Sequence, residues 1–393
     1  MTSDRELRVV IAGGGTGGHL FPGIAVAREL LARRPEAVIS FAGTARGIEA
    51  RVIPNEGFPL DLIRSGGLKG KSVAGTARGL ALVPLGVADA WDLLSRRKPH
   101  IVIGVGGYSS GPVLLGAAAR GIPTMVLEQN AVPGLTNRLL APLVGAAAVT
   151  FESTTSFFGA KGFFSGNPVR PEFFQTGGSG GPGGSGGPDR AGRERELDDS
   201  EEIRVLVFGG SQGAHAINVA MVEAAPELAA GRPRLRLTHQ TGERDVEMVR
   251  AGYRHAGLQA EVEPFLDDMA RRLRQADLVV SRAGMTTIAE LTAVGVAAIL
   301  IPLPTATDDH QRKNAEAIEA AGAAEVLLQA SASGAEIAKR ILTLAGDAPK
   351  RARMSEAATL LARPDAAKVI VDKVFELVRL KAAARSTEPD DAR

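Results

Sequence analysis

The sequence predicts an α/β fold of two Rossmann-like, doubly wound parallel-sheet domains in tandem. Three observations carry this. Apolar, β-branched runs alternate with helical patterns along the 393 residues, which implies parallel sheets covered by helices. A strand, a glycine loop and a helix occur together twice, as VVIAGGGTGGHLFPGIAVAREL over 9–30 and RVLVFGGSQGAHAINVAMVEAA over 204–225. A second unit also recurs, as PHIVIGVGGYSSGPVLLGAAARGIPTMVLEQN over 99–130 and ADLVVSRAGMTTIAELTAVGVAAILIPLP over 276–304. Ligands of such sheets bind beyond the carboxyl ends of the strands. Two facing domains are therefore expected to enclose a cleft.

The chain divides accordingly. Residues 1–173 read as the first domain and 201–364 as the second. Between them, 174–200 are rich in Gly, Ser and Pro and then in charge, a composition that builds no core and reads as a flexible linker. Residues 365–393 read as a C-terminal helix, packing back on the first domain, and a disordered tail. Hydrophobic residues at 45% and charged residues at 23% suffice for two cores. With no cysteine, disulfides and thiolate metal sites are excluded. A net charge of +2 gives no reason to expect nucleic acid. No apolar run reaches the ~18 residues of a membrane span, and the N-terminus has no signal-peptide pattern.

In the first loop, Gly13, Gly15 and Gly18 fit G-x-G-x-x-G. A nicotinamide enzyme would add an acid at the end of the next strand. That strand, AVISFAG, ends in Gly43 and Thr44, and Glu49 comes too late. The loop amides still suit an anion at a helix N-terminus, and His19 at the loop's end reads as catalytic or ligand-positioning, or else as a capping or packing residue. The second loop, GGSQGAH, offers the Ser211 hydroxyl and amides for a diphosphate, with His215 more structural in character. Neither loop has a Walker lysine, and no compact D-x-D cluster follows a strand to hold a metal-bridged nucleotide. Leaving-group charge would fall to helix dipoles, hydroxyls and arginine, with Arg170 and Arg282 as candidates; either could instead form an interdomain salt bridge. Thr286, Thr287 and Glu290 open a helix, where a carboxylate suits the paired hydroxyls of a ribose; an ordinary capped helix is the plainer reading.

Taken together, GGTGGHLFPGIAVA, GVGGYSSGP, EQNAVPGLTNRLL, GNPVR, GGSQGA, SRAGMTTIAEL and DDHQRKNA resemble the MurG family of bacterial peptidoglycan glycosyltransferases over nearly the whole chain outside the linker and tail. The resemblance implies the GT-B fold. It implies inverting transfer of N-acetylglucosamine from UDP-N-acetylglucosamine to the 4-hydroxyl of the muramoyl sugar of lipid I, giving lipid II. By motif, it implies that Thr16, Gly17 and Gly18 touch the donor, with Asn130 near its sugar. Arg170 and Ser211 lie along the diphosphate. Leu266 meets the uracil through its backbone, and Met285, Thr286, Thr287, Ile288, Ala289 and Glu290 follow nucleotide and sugar, with Glu290 on the ribose. Gln311 contacts the sugar hydroxyls, a position His310 could also fill. The segment 174–200 is longer than this family leads one to expect.

Displacement by a sugar hydroxyl needs a base. His19 is the first candidate and Glu128 the rival, a carboxylate that burial in a dry site would make more basic. No cofactor is expected, with a divalent metal at most stimulatory and no metal-binding residues. The acceptor's lipid calls for an anionic membrane surface as partner. Residues 64–98 supply Arg64, Lys69, Lys71, Arg78, Arg96, Arg97 and Lys98 around an apolar run holding the sole tryptophan, Trp91. The alternative is a core helix with a solvated basic flank. The expected location is the cytoplasmic face of the inner membrane, peripheral and without a transmembrane segment. A nicotinamide oxidoreductase, a sugar-nucleotide epimerase of similar fold and a non-catalytic sugar-nucleotide sensor are the competing functions.

Overall fold

The structure is a computed structural model that describes residues 6–45, 47–65, 73–174, 202–210 and 213–386, with the backbone alone for 73–83, 307, 385 and 386. Residues 175–200 of the expected linker, and Ser211, lie outside the described residues. Two compact units emerge, Met1–Val169 with Thr305–Lys313 and Arg363–Arg393, and Arg170–Pro304 with Asn314–Ala362. Residues 305–313, expected within the second domain, thus pack with the first unit, and Arg170–Phe174 belong to the second.

The first unit alternates strand and helix: β1 (Arg8–Gly13), α1 (Gly17–Arg33), β2 (Val38–Gly43), α2 (Glu49–Asn55), β3 (Leu60–Leu62), α3 (Val73–Arg97), β4 (Ile101–Gly106), α4 (Ser110–Ala119), β5 (Thr124–Glu128), α5 (Leu135–Leu140), β6 (Ala146–Val149), α6 (Glu152–Phe158) and β7 (Gly162–Phe164). Its sheet runs β3-β2-β1-β4-β5-β6-β7, every pair parallel. Successive side chains of a strand face opposite sides, and β1 feeds two cores. Val9 and Ile11 pack on one face with Leu20, Ile24 and Leu30 of α1, while Val10 and Ala12 pack on the other with Val113 and Leu114 of α4.

The second unit repeats the plan with β8 (Ile203–Phe208), α7 (His215–Ala230), β9 (Leu235–Gln240), α8 (Val246–Ala256), β10 (Ala260–Glu263), α9 (Met269–Gln275), β11 (Leu278–Ser281), α10 (Met285–Val294), β12 (Ala298–Leu300), α11 (His310–Ala320), β13 (Ala324–Val326), α12 (Gly334–Gly346) and α13 (Ala348–Leu361). The sheet order is β10-β9-β8-β11-β12-β13, again all parallel. The last helix, α14 (Ala366–Ser386), places Ile370, Val371 and Val374 in the first unit's core beside α1, and Asp372 pairs with Arg33 at 2.6 Å.

In both sheets the order reverses beside the first strand of the unit, between β1 and β4 and between β8 and β11. Such a reversal opens a crevice at the carboxyl ends of the strands. Both glycine loops leave their strands there.

Candidate active site

The first loop turns on consecutive glycines. Gly13, Gly14 and Gly15 have φ of 151°, 150° and 84°, and a Cβ on Gly13 would stand 2.4 Å from the Gly106 carbonyl oxygen. Only glycine lets β1 end this close to β4. The Gly14 N–H then donates to that carbonyl at 3.2 Å. Thr16 is exposed at the start of α1 with Gly17 and Gly18 following it. The Thr16 hydroxyl lies 3.1 Å from His19 Nδ1, so Thr16 engages the histidine and does not cap its own helix.

Gly106 gives His19 its seat. A Cβ there would fall 2.4 Å from Cδ2 and 3.0 Å from Nε2 of the imidazole. Burial pulls the His19 pKa down to about 4, and the nearby charge of His310 pushes the same way. The ring is therefore neutral near pH 7. With Nδ1 occupied by Thr16, Nε2 is the nitrogen that can serve a ligand.

Glu128, the rival base, ends β5 and is buried. Its Oε1 accepts from the Asn130 N–H at 3.0 Å and the Asn130 amide at 3.3 Å. Its Oε2 accepts from the Gly134 N–H at 2.9 Å and the Asn137 amide at 2.9 Å. A carboxylate has about four lone-pair sites, and four donors meet this one. Burial raises its pKa while these four bonds oppose the rise. The carboxylate thus pins the Gln129–Gly134 turn and orients Asn130.

Glu49 joins this site without having been singled out by the sequence. It begins α2, is 1% exposed, and turns back to the first loop, accepting from the Gly15 N–H at 2.7 Å. The acid that seemed too far along the chain for a ribose instead reaches the loop itself.

In the second unit, Gln240 at the carboxyl end of β9 bridges two of the expected binding segments. Its amide donates to the Gly210 carbonyl at 2.9 Å, and its Oε1 accepts from the Leu266 N–H at 2.9 Å. The Leu266 N–H is thereby engaged within the protein. Behind the loop runs a polar chain that starts at the exposed His215 and continues through buried residues. His215 Nδ1 meets both Asp245 oxygens at 3.0 Å, and Asn218 donates to Asp245 at 2.8 Å. His239 Nε2 lies 3.1 Å from Asn218 Oδ1, and its Nδ1 lies 2.7 Å from the Tyr253 hydroxyl. His215 is thus anchored to Asp245 while its side chain remains 54% exposed.

Met285, Thr286, Thr287, Ile288, Ala289 and Glu290 form the first turns of α10. Glu290 is 8% exposed, and its carboxylate lies 3.4 Å from the Arg170 guanidinium. Burial pushes the Glu290 pKa up to about 7, with Arg170 pulling it down and Glu172 adding to the rise. Arg170 also stacks on Phe173 at 5.0 Å, so its ion pair lies inside one unit. The other arginine candidate, Arg282, is spent on structure. Its guanidinium donates to the carbonyls of Ile301 at 3.1 Å and Pro302 at 3.2 Å and to the Gln329 side chain at 2.7 Å. Gln311 is the second residue of α11, in the stretch that packs with the first unit.

Comparison with known proteins places these features in one family. The glycosyltransferase family 28 N-terminal domain matches residues 9–149, and the family's C-terminal domain matches 204–370. A protein from Pelobacter propionicus, named UDP-N-acetylglucosamine--N-acetylmuramyl-(pentapeptide) pyrophosphoryl-undecaprenol N-acetylglucosamine transferase, is 48% identical over 379 residues, covering 94% of this chain and 99% of its own. The crystal structure of MurG from Acinetobacter baumannii superposes with a TM-score of 0.73 at 29% identity, over 94% of this chain and 99% of that one. A UDP-N-acetylglucosamine 2-epimerase structure, at 14% identity and a TM-score of 0.65 over 98% of this chain and 99% of its own, shares the fold alone. With both domain models matched in order and near-complete coverage of its relatives, this chain belongs to glycosyltransferase family 28, among the MurG-type N-acetylglucosamine transferases.

Proposed function

We propose that this glycosyltransferase moves N-acetylglucosamine from UDP-N-acetylglucosamine to the 4-hydroxyl of the muramoyl sugar of lipid I, with inversion, to form lipid II. The observation that carries the reading is identity near one half to a transferase of that name along almost the entire chain. The site geometry fits the chemistry. A neutral imidazole stands at the first loop, with Nε2 able to take a hydroxyl proton as the oxygen attacks the anomeric carbon. The C–O bond to the donor diphosphate breaks as the new glycosidic bond forms, and the proton ends on His19. On this reading Glu290 accepts from the ribose hydroxyls, and the second glycine loop and Arg170 serve the departing diphosphate.

Transfer of radiolabel from the donor, with and without lipid I, tests the reading. Label should reach the lipid fraction only with acceptor. Epimerised free donor, or no turnover, would overturn it in favour of an epimerase or a sensor. The reading assigns no catalytic metal, so turnover should persist in excess chelator; loss restored by magnesium would contradict that part.

The same reading places the enzyme peripherally on an anionic membrane, at the cytoplasmic face. Among the described residues no helix is long and apolar enough to cross a bilayer. Trp91 on α3 is 50% exposed, with the Arg120 guanidinium 5.1 Å over its ring, a pairing that suits an interface. The described basic groups contribute less free charge than their number suggests. Arg64 pairs with Asp89, Arg96 with Asp92 and Asp61, and Arg97 with Asp61. The electrostatic attraction then rests more on the exposed Lys98 and on Lys69, Lys71 and Arg78, the last three with side chains outside the described residues.

A further inference from the structure

A glycine loop at a helix N-terminus ordinarily receives the anion of its ligand. In the first unit the protein supplies that anion itself. Glu49 Oε2 accepts from the Gly15 N–H at 2.7 Å, while Oε1 accepts from the Thr44 N–H and the Thr44 hydroxyl, each at 2.9 Å. Space has been cleared for the carboxylate on three sides. A Cβ on Gly14 would stand 2.5 Å from its carboxyl carbon, on Gly43 2.5 Å from its Cγ, and on Gly47 2.0 Å from its Oε2. Three glycines on two separate segments therefore meet around one buried acid. Besides the Gly14 N–H bond to Gly106, the loop has no side chains of its own to hold it at Gly13, Gly14 and Gly15, all of positive φ.

We propose that Glu49 is a positioning residue and a built-in anion. It holds the loop from which Thr16 and His19 project, and it keeps ligand phosphate off the Gly15 amide. The first loop then works on sugar hydroxyls through Thr16 and His19, and diphosphate is held by other donors. This inference rests on the transferase reading above for its kinetic test, but not for its spectroscopic one.

Glu49→Gln keeps the side chain's length and its bonds to Thr44 but turns an NH2 group toward the Gly15 N–H. Displacement of His19 by a fraction of an ångström should lower kcat by about 10- to 100-fold, with the donor KM nearly unchanged and the melting temperature close to wild type. In Glu49→Ala, which empties the seat and frees the Gly15 N–H, inorganic pyrophosphate at saturating donor should inhibit against acceptor about tenfold more tightly than in wild type, since a hydrogen bond to a charged group is worth at least that factor. A merely structural role would not create this gain. In 15N-labelled protein without substrates, the Gly15 amide proton should move upfield in Glu49→Gln. Wild-type kcat, unchanged pyrophosphate inhibition or an unmoved Gly15 resonance would each overturn the proposal. Should Glu49→Gln fail to fold, Glu49→Asp keeps the charge but is one methylene too short to reach Thr44 and Gly15 together, so the loss of kcat and the Gly15 shift are expected of it without tighter pyrophosphate inhibition. If the wild-type protein itself transfers no sugar, the function reading fails, while the Gly15 resonance still decides the role of Glu49.

Discussion

His19 and Glu290 are both moved from their ordinary titration by burial, in opposite senses. Desolvation disfavours whichever form is charged, so the imidazole falls to about 4 and the carboxyl rises to about 7. Replacing His19 by Ala should cut turnover by about 100- to 10,000-fold, the usual worth of a general base, with donor affinity and thermal stability near wild type. A variant that keeps most of its turnover would remove the base role from His19. An ionised Glu290 accepts from ribose hydroxyls better than a protonated one, so donor affinity should strengthen as pH rises through about 7. Calorimetric titration of the donor between pH 5.5 and 8.5 checks this, and Glu290→Gln should bind weakly with a flat profile. Stability moves the other way. A folded pKa raised above the unfolded value means the unfolded chain releases its proton first as pH rises. Glu290 therefore lowers stability progressively from about pH 4.5 to about 7, a slope that Glu290→Gln removes.

Among the elements, the loops owe their shape to what stands behind them. His239 is buried between α7 and α8, and burial holds its pKa down to about 3, so it is neutral. Asn218 Oδ1 only accepts, which puts the proton on Nε2 and leaves Nδ1 to accept from the Tyr253 hydroxyl. Tyr253→Phe would strand that nitrogen in the core. The expected cost is about 1–3 kcal/mol, read as a lower denaturation midpoint with an unchanged m-value. Unchanged stability would show that the chain of bonds from Tyr253 to His215 adds nothing. Its far end fixes the first residue of α7, where the second glycine loop enters the helix, so donor KM should rise modestly in the same variant.

For the whole molecule, the chain's return to its starting unit matters most. α14 fills the first core with Ile370, Val371 and Val374, all 0% exposed. Ile370→Ala should cost about 2–5 kcal/mol, as expected for a buried large-to-small change, although the site is some 350 positions from His19. Chemical denaturation followed by Trp91 fluorescence, a reporter in the same unit, measures it. A transition unmoved in that signal would mean α14 does not support the first fold.

The sequence alone established the parallel sheets, their tandem repeat, both glycine loops and the family, because these are local: a buried β-branched strand, a run of glycines and a helix start announce themselves within about thirty residues. It also identified His19 and Glu128 as the candidate bases and Glu290 as the candidate ribose ligand. It could not assign their roles, because a pKa and a lone-pair count depend on neighbours from other elements. Four donors from the turn after β5 and from α5 meet the Glu128 carboxylate, and Gly106, from another strand, leaves the space in which the His19 ring sits. Gln240 and Glu49 carry no motif of their own. Sheet order brings Gln240 to the second loop, and the fold of α2 back across Gly43 and Gly47 brings Glu49 to the first. Burial and long-range hydrogen bonding, the two effects that set their chemistry, exist only once distant segments have packed.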